Sequence, residues 1–348
     1  MRPRPLSNPP NPWATTLVEY DEGPPDTKIE VYEDHTKGIL ATNSSPDLGF
    51  KWSINPYRGC MHACAYCYAR PGHEYLSFGA GTDFDTKIVV KPNAAALLRE
   101  AFEKPSWRGE LIMFSGVTDC YQPLEASLKL TRGCLEVCAE YRNPVAIITK
   151  APLVERDVDL LVELARTARV GVTLSIPFWD PERARAIEPF VATPLRRIRA
   201  IETLARNGIS VGVNVAPIIP GLNEDQIAEI LTAARAAGAT RANYTLLRLP
   251  GSVKAVFEER LRAKLPLSAD KVLHRIRETR GGKLYDATWR KRQVGDGEYA
   301  DMIGTLFGAL KHRLGFDAPI PAGQDADAEE PPTTFRRVGV RGQLALFD

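Results

Sequence analysis

Residues 55–71 read NPYRGCMHACAYCYARP, and this stretch places three cysteines within eight residues. The spacing is Cys60-x3-Cys64-x2-Cys67, which puts three thiols on one short loop where they can converge on one point. Thiolate sulfur is the usual protein ligand of iron–sulfur clusters, and three ligands leave the fourth iron of a cubane open. The loop therefore predicts a [4Fe–4S] site with a free coordination position.

Two alternatives to a cluster remain open on spacing alone. A zinc site normally has four Cys or His ligands, and His62 or His73 could supply the fourth. A disulfide would suit an oxidising compartment, for which the sequence offers no support. Tyr66 precedes the third cysteine and gives the form CxxxCxφC, where φ is aromatic, which favours the cluster.

Composition and charge describe an ordinary globular protein. The chain has 348 residues, of which 44% are hydrophobic and 25% charged, with a formal net charge of +2. Such a chain can form two modest domains or one large α/β barrel. Because the net charge is close to neutral, a nucleic-acid or membrane partner would need a local basic patch.

No targeting or membrane segment is predicted. The first residues, MRPRPLSNPPNPW, are basic but are not followed by the apolar stretch of a signal peptide. No apolar run approaches the roughly 20 residues of a membrane helix. We therefore predict a cytoplasmic protein without membrane contact, where a tight cysteine cluster is more often a metal site than a disulfide framework.

The pattern beyond the cysteine loop predicts alternating strands and helices. Candidate strands are residues 52–57, 110–117, 145–150, 170–177, 209–219 and 242–249. Candidate helices are residues 93–103, 124–141, 157–167, 194–207, 223–237, 252–264, 270–280 and 299–314. Two helix C-caps are expected at Gly208 and Gly238, and Asn223 with Gln226 matches an N-cap with its capping-box partner.

The predicted strands are continuous apolar runs, which is typical of parallel strands buried on both faces. Six β–α units in succession indicate a partial (β/α)6 barrel of the TIM type. We assign residues 51–285 to this barrel, residues 1–50 to an extended N-terminal arm, and residues 286–348 to a helical extension with a flexible tail. In such barrels the chemistry lies at the carboxyl ends of the strands.

The chain resembles the radical S-adenosylmethionine (SAM) superfamily, and within it the spore photoproduct lyase-like, DNA repair photolyase-related group. The resemblance covers roughly Ser45 to Tyr299. It rests on six motifs in order, namely INPYRGC-x-H-x-C-x-YC-x-ARP, HEYL (73–76), DFDTKIVVK (83–91), VTDCYQPLE (117–125), ITK (148–150) and PIIPGLNE (217–224).

The resemblance implies that the open iron binds the amino and carboxylate groups of S-adenosylmethionine. Reductive cleavage would then give methionine and a 5′-deoxyadenosyl radical that abstracts a hydrogen from the substrate. It also implies a reductant such as flavodoxin or ferredoxin. The group's name makes nucleic acid the candidate substrate, with a reaction of the DNA-repair kind.

Polar residues at the predicted strand ends are the candidate cofactor contacts. The position that meets the amino end of S-adenosylmethionine in the family corresponds here to residues 115–119. Lys150 resembles a lysine that meets the cofactor, and its cation would suit the methionine carboxylate. Ser175 could bind the ribose. The full set of candidate cofactor-binding residues is Tyr66, Ser115, Thr118, Asp119, Thr149, Lys150, Ser175 and Asn214.

Cys120 is the candidate catalytic thiol. The lyase group uses a cysteine near this strand end as a hydrogen-atom donor, but the matching place here is closer to Gly116, so that role does not carry over. Cys120 could serve as a redox partner near the barrel mouth or pack as a small hydrophobic side chain. Cys134 and Cys138 lie four apart on a predicted helix, and we expect both to be buried against the barrel.

The chain ends with Gln343-Leu-Ala-Leu-Phe347-Asp348, which resembles the peptide by which bacterial DNA polymerases and repair proteins bind the sliding clamp. A tail with Leu and Phe anchors could fold into a partner's groove. The alternative function is therefore a metal- or cluster-containing binding module that docks to the clamp. The basic runs Arg336, Arg337, Arg341 and Arg290, Lys291, Arg292 do not by themselves establish nucleic-acid binding.

Overall fold

The structure is a computed structural model that describes residues 4–6, 28–316 and 333–338. Its strands are β1 (Arg4–Leu6), β2 (Glu30–Glu33), β3 (Leu40–Thr42), β4 (Trp52–Ile54), β5 (Tyr57–Arg58), β6 (Lys87–Val90), β7 (Ile112–Phe114), β8 (Val145–Thr149), β9 (Val170–Ser175), β10 (Ser210–Ile218) and β11 (Arg241–Leu246).

Helices cover most of the connections between these strands. They are α1 (Pro71–Glu74), α2 (Thr82–Thr86), α3 (Ala94–Glu103), α4 (Glu125–Leu128), α5 (Leu130–Tyr141), α6 (Val158–Ala165), α7 (Pro181–Ile187), α8 (Pro194–Arg206), α9 (Ile227–Ala236), α10 (Val253–Lys264), α11 (Pro266–Glu278), α12 (Lys291–Val294) and α13 (Glu298–Arg313). Short 3-10 helices cover Pro152–Asp157 and Glu224–Gln226.

A seven-stranded sheet forms the centre of the fold, in the order β11-β10-β9-β8-β7-β4-β3. Six neighbouring strands from β4 to β11 are parallel, and β3 adds an antiparallel edge. The parallel sheet with its crossover helices confirms the predicted barrel-type α/β fold. The strands form as predicted because branched apolar residues occupy their buried positions, such as Val172 and Val213.

A second sheet, in the order β1-β2-β6-β5, was not predicted from the sequence. The single strand predicted over residues 52–57 is divided, with β4 in the large sheet and β5 in the second one. Strand β2 comes from the N-terminal arm and pairs in parallel with β6, while β5 pairs with the other side of β6. Because β5 leads directly into the cysteine loop, its pairing with β6 fixes the position at which the loop begins. The arm also supplies β3 to the large sheet.

The predicted helix over residues 124–141 is interrupted at Lys129, whose φ of +53° is left-handed. The cause is the side chain of Glu125, which accepts hydrogen bonds from the backbone N–H groups of Thr131 (2.9 Å) and Arg132 (3.2 Å). These are unpaired donors at the start of α5, so the carboxylate caps a new helix rather than continuing the old one.

The two predicted glycine C-caps are confirmed by φ values of +77° at Gly208 and +99° at Gly238. The prediction of a capping box at Asn223 is wrong, because its side chain does not cap the following helix. Asn223 instead accepts a hydrogen bond from the Ile219 N–H (2.6 Å) and donates to the Pro177 carbonyl (2.7 Å). The asparagine therefore joins the loops that follow β9 and β10, and helix α9 begins only at Ile227.

No helix in the described ranges has the length and apolar character needed to cross a membrane.

Residues 333–338 lie against α3 and α5, where Phe335 packs on Phe102 and Tyr141. The Arg337 side chain donates to the carbonyls of Lys104 and Trp107. The Arg337 guanidinium therefore makes hydrogen bonds within the protein. The predicted clamp peptide, Gln343 to Phe347, and Arg341 lie outside the described residues.

Candidate functional site

The cysteine loop begins at Gly59, which has a φ of +77° and is surrounded by backbone. A Cβ at this position would lie 3.0 Å from the carbonyl oxygens of Phe84 and Lys87. The Gly59 carbonyl accepts hydrogen bonds from Thr118 Oγ1 (2.6 Å) and Gln122 Nε2 (3.1 Å). The segment after β7 therefore positions the loop directly before its first cysteine.

The three thiols of the loop are free and largely shielded from solvent. Cys60 and Cys64 are buried, and Cys67 is partly exposed. Burial, with a smaller contribution from Asp119, raises the pKa of Cys60 to about 12, and burial also raises the pKa of Cys64 and Cys67. A cation must displace these protons for the sulfurs to act as ligands, so metal binding would release protons.

This donor set fits an iron–sulfur cluster by its chemistry. Each thiolate of a cubane binds a different iron, so the sulfurs stand further apart than ligands of one ion. Among the described residues no three His, Cys, Asp or Glu side chains stand close enough to hold a single metal ion. His73, a candidate fourth zinc ligand, is hydrogen-bonded through Nε2 to the Lys87 carbonyl at 2.9 Å.

Arg70, which the sequence interpretation did not single out, supports the loop from inside. Its guanidinium is fully buried and donates to the Cys64 carbonyl (2.7 Å) and to Asp85 (2.8 Å). Arg260 of α10 also pairs with Asp85 and donates to the Ala63 carbonyl at 2.8 Å. The two arginines thus hold successive carbonyls of the loop. The signal was present, because Arg70 and Asp85 lie in the ARP and DFDTKIVVK motifs.

Asp119 connects the loop to the end of β8. One carboxylate oxygen accepts from Thr149 Oγ1 (2.6 Å), and the other accepts from the Lys150 N–H (2.7 Å). Nδ1 of His62 lies 3.5 Å from the second oxygen, which is too far for a good hydrogen bond. The structure therefore brings Asp119, Thr149 and Lys150 together, and Asp119 fixes the Thr149 hydroxyl and the Lys150 backbone N–H.

Lys150 lies next to a buried ion pair formed by Glu188 and Arg197. Glu188 and Arg197 are 1% and 0% exposed, and their side chains pair at 2.9 Å. The Tyr66 hydroxyl donates to Glu188, and the Lys150 Nζ lies 3.9 Å from the same carboxylate oxygen. Arg197 also donates to the Ser175 carbonyl at 2.7 Å. Tyr66, Lys150 and Ser175 are thereby joined through two residues that the sequence interpretation missed.

Asn214 and Ser175 lie side by side on β10 and β9. The Asn214 Oδ1 is buried and has no hydrogen-bond partner among the described residues. A buried amide oxygen without a partner is costly, and a bound donor would remove that cost. This position therefore fits a polar ligand at the carboxyl ends of the strands.

Two of the predicted cofactor contacts, Ser115 and Thr118, make hydrogen bonds within the protein. Ser115 has a φ of +81°, and its Oγ accepts a hydrogen bond from the Cys120 N–H at 3.0 Å. Thr118 Oγ1 is used by the Gly59 carbonyl, as described above. Both side chains stabilise the turn after β7.

Cys120 is fully buried in the main hydrophobic core, and burial raises its pKa well above the ordinary value of a thiol. The surroundings favour the packed thiol over an accessible redox group. Cys134 and Cys138 on α5 are also fully buried in this core, which confirms the expectation for them.

Replacing Gly59 by alanine is expected to lower both stability and metal content. A non-glycine residue at this φ costs roughly 1–2 kcal/mol, and the clash with two carbonyls adds to it. Thermal unfolding and iron content after reconstitution measure the effect. Gly72→Ala is the matched control, since a Cβ added to Gly72 would meet no atom within 4 Å and its φ is not positive. Equal behaviour of the two variants would contradict the expected role of Gly59.

Comparison with known proteins agrees with this site. The family model described as the Radical SAM superfamily matches residues 54–234, just over half of the chain and all three loop cysteines. The protein belongs to the radical SAM superfamily. Membership implies a [4Fe–4S] cluster and S-adenosylmethionine as cofactors.

Two sequence relatives that match part of the chain are named as uncharacterized proteins. An uncharacterized protein of Mycobacterium tuberculosis is 40% identical over 222 residues, which are 62% of this chain and 65% of that relative. The chain thus spans just under two thirds of the length of this relative. An uncharacterized protein of Methanocaldococcus jannaschii is 35% identical over 196 residues, 56% of this chain and 70% of the relative.

Among solved structures, spore photoproduct lyase complexed with dinucleoside spore photoproduct matches with a TM-score of 0.57. The match covers 82% of this chain and 78% of the lyase at 17% sequence identity. At that identity the likeness concerns the fold alone.

Proposed function

We propose that this protein binds a [4Fe–4S] cluster through Cys60, Cys64 and Cys67 and reductively cleaves S-adenosylmethionine. The observation that carries the proposal is a loop of three free thiols at the carboxyl edge of a parallel sheet, in a chain of the radical SAM superfamily. When bound and reduced, the cluster supplies the electron that breaks the carbon–sulfur bond of S-adenosylmethionine.

The protein's own residues bind and orient the cofactor. Lys150 presents a cation suited to the methionine carboxylate, and the pair of Glu188 and Arg197 holds that lysine from below. The unpartnered Asn214 Oδ1 accepts a hydrogen bond from a donor of the cofactor. Ser175, beside it, is suited to the ribose. Burial of these groups excludes water from the reaction.

The substrate class that we propose is nucleic acid. The support is indirect, since it comes from the lyase-like motif order and from a structural relative that is complexed with a dinucleoside photoproduct. The lyase reaction itself is not proposed, because Gly116 stands near the place of its donor cysteine.

A cytoplasmic location fits a buried site of reduced thiols, and flavodoxin or ferredoxin would be a suitable reductant.

Anaerobic reconstitution with iron and sulfide tests this function. We expect a brown protein with four irons that releases methionine and 5′-deoxyadenosine from S-adenosylmethionine when reduced. Deuterium transfer from a labelled oligonucleotide into 5′-deoxyadenosine would identify the substrate class. A colourless zinc protein without cleavage would refute the proposal.

Docking to the sliding clamp is a second proposal that rests on residues Gln343 to Phe347 alone. It is compatible with the first, because a tail can dock while the barrel catalyses. Deleting residues 343–348 should abolish clamp binding in a pull-down, and unchanged binding would end this proposal.

A further inference from the structure

The loop after β11 brings an unpaired arginine to the cysteine loop. Leu247 continues the sheet through a hydrogen bond from its N–H to the Ile218 carbonyl at 2.9 Å, and Arg248 follows. The Arg248 guanidinium lies 5.6 Å from the ring centre of Tyr68, the residue directly after Cys67. Tyr68 is 50% exposed and donates its hydroxyl to the Gly116 carbonyl at 2.8 Å. Arg248 therefore stands at the edge of the proposed reaction site.

No carboxylate forms a close ion pair with Arg248 within the described part of the chain. Its Nε is buried without a hydrogen-bond partner, and it takes part in no ion pair there. Asp47 is near enough for its charge to be felt, yet its oxygens are used by the Arg290 N–H and the Arg292 side chain. Although burial opposes ionisation, these two donors and the charge of Arg248 lower the pKa of Asp47. Asp47 thus stays ionised but engaged with other partners, which leaves Arg248 free for an external anion.

The segment of residues 289–292 lies beside this arginine. Buried Arg280 joins the two, since it donates to the Leu247 carbonyl (2.8 Å) and to the Lys291 carbonyl (2.7 Å). Trp289 is 51% exposed, and the Arg292 guanidinium stacks on its ring at 3.8 Å. An exposed indole backed by a cation is a stable surface on which a planar group can stack.

We propose that Arg248 binds a backbone phosphate of a single nucleic-acid strand and that Trp289 stacks with one of its bases. This inference rests on the proposed function and deepens it by naming the residues that recognise the substrate. Proteins that bind single strands combine unpaired cations with exposed aromatic rings in this way. The sequence alone did not show a role for the basic run at residues 290–292. The structure places this run near Arg248, because Arg280 joins the Lys291 and Leu247 carbonyls.

Binding of a labelled oligodeoxynucleotide of about 12 nucleotides to the reconstituted full-length protein tests the proposal by fluorescence anisotropy. Arg248→Gln should weaken binding about tenfold and reduce the salt dependence by about one phosphate contact. Arg248→Lys should restore part of the affinity, which separates loss of charge from misfolding. The matched control is Arg206→Gln, because Arg206 is exposed at the end of α8 and precedes the amino end of β10, whereas Arg248 follows the carboxyl end of β11.

An abasic strand of the same length separates the two contacts. Arg248→Gln should weaken binding of both strands, whereas Trp289→Ala should weaken the normal strand about tenfold and leave the abasic strand unchanged. The proposal is overturned if Arg248→Gln and Arg206→Gln bind alike, or if the wild-type protein does not bind the strand. Failure of the proposed function would appear separately, as absence of S-adenosylmethionine cleavage without any strand.

Discussion

Single replacement of Cys60, Cys64 or Cys67 by alanine is expected to remove the cluster and reduce S-adenosylmethionine cleavage by more than about 100-fold. Loss of even an outer-shell partner of a metal site costs about 10–100-fold, and these thiols are the proposed ligands themselves. Because each sulfur binds its own iron, the two remaining cysteines cannot replace the missing one. Iron content, the visible absorption of the cluster and the yield of 5′-deoxyadenosine measure the effect.

Cys134→Ala is the matched control for this experiment. Cys134 is fully buried on α5 within the hydrophobic core, so its loss should cost a modest amount of stability and no iron. The ligand assignment would fail if a loop variant kept four irons and full cleavage, or if Cys134→Ala lost iron to the same extent.

Replacement of Glu188 by alanine should have the second largest effect, this time on stability as well as cofactor binding. The change leaves Arg197 buried without its partner, which costs about 3–5 kcal/mol. For a domain of this size the unfolding temperature should fall by roughly 10 °C. Lys150 and Tyr66 lose their common acceptor, so affinity for S-adenosylmethionine should fall too.

Two variants separate a positioning role from a merely structural one. Glu188→Gln keeps the shape and one acceptor oxygen, so it should recover part of the stability while S-adenosylmethionine affinity stays reduced. Glu202→Ala breaks an exposed ion pair with Arg206 and should change neither quantity measurably. Calorimetric titration of the cofactor into the reconstituted protein checks affinity independently of turnover. Wild-type affinity in Glu188→Ala would contradict the positioning role.

The large sheet could be predicted because its strands carry local signals. Its parallel strands lie in short apolar runs, and this pattern requires no knowledge of distant contacts. The edge strand β3, in the N-terminal arm, was not predicted. The second sheet could not be predicted in the same way. Strand β2 pairs with β6 across some fifty residues of chain, and neither strand is long enough to stand out.

From the sequence, candidate site residues could be proposed at strand ends, whereas the residues that support them could not be proposed. Lys150 and Ser175 follow from the rule that the carboxyl edge of a barrel carries the chemistry, because they lie at the ends of β8 and β9. Glu188 does not, since it lies on the loop after α7, 122 positions from the Tyr66 that it binds. A buried charge acquires its role only when its partner is known, and that requires the fold.

The contact between Arg260 and the cysteine loop bears on how much of the chain is needed for one function. The family match ends at residue 234, before α10 begins. A chain cut there would keep all three cysteines but lose the guanidinium that holds Ala63 and Asp85. A unit that retains this support of the cysteine loop thus extends at least to Arg260 within α10, beyond the segment that the family model matches.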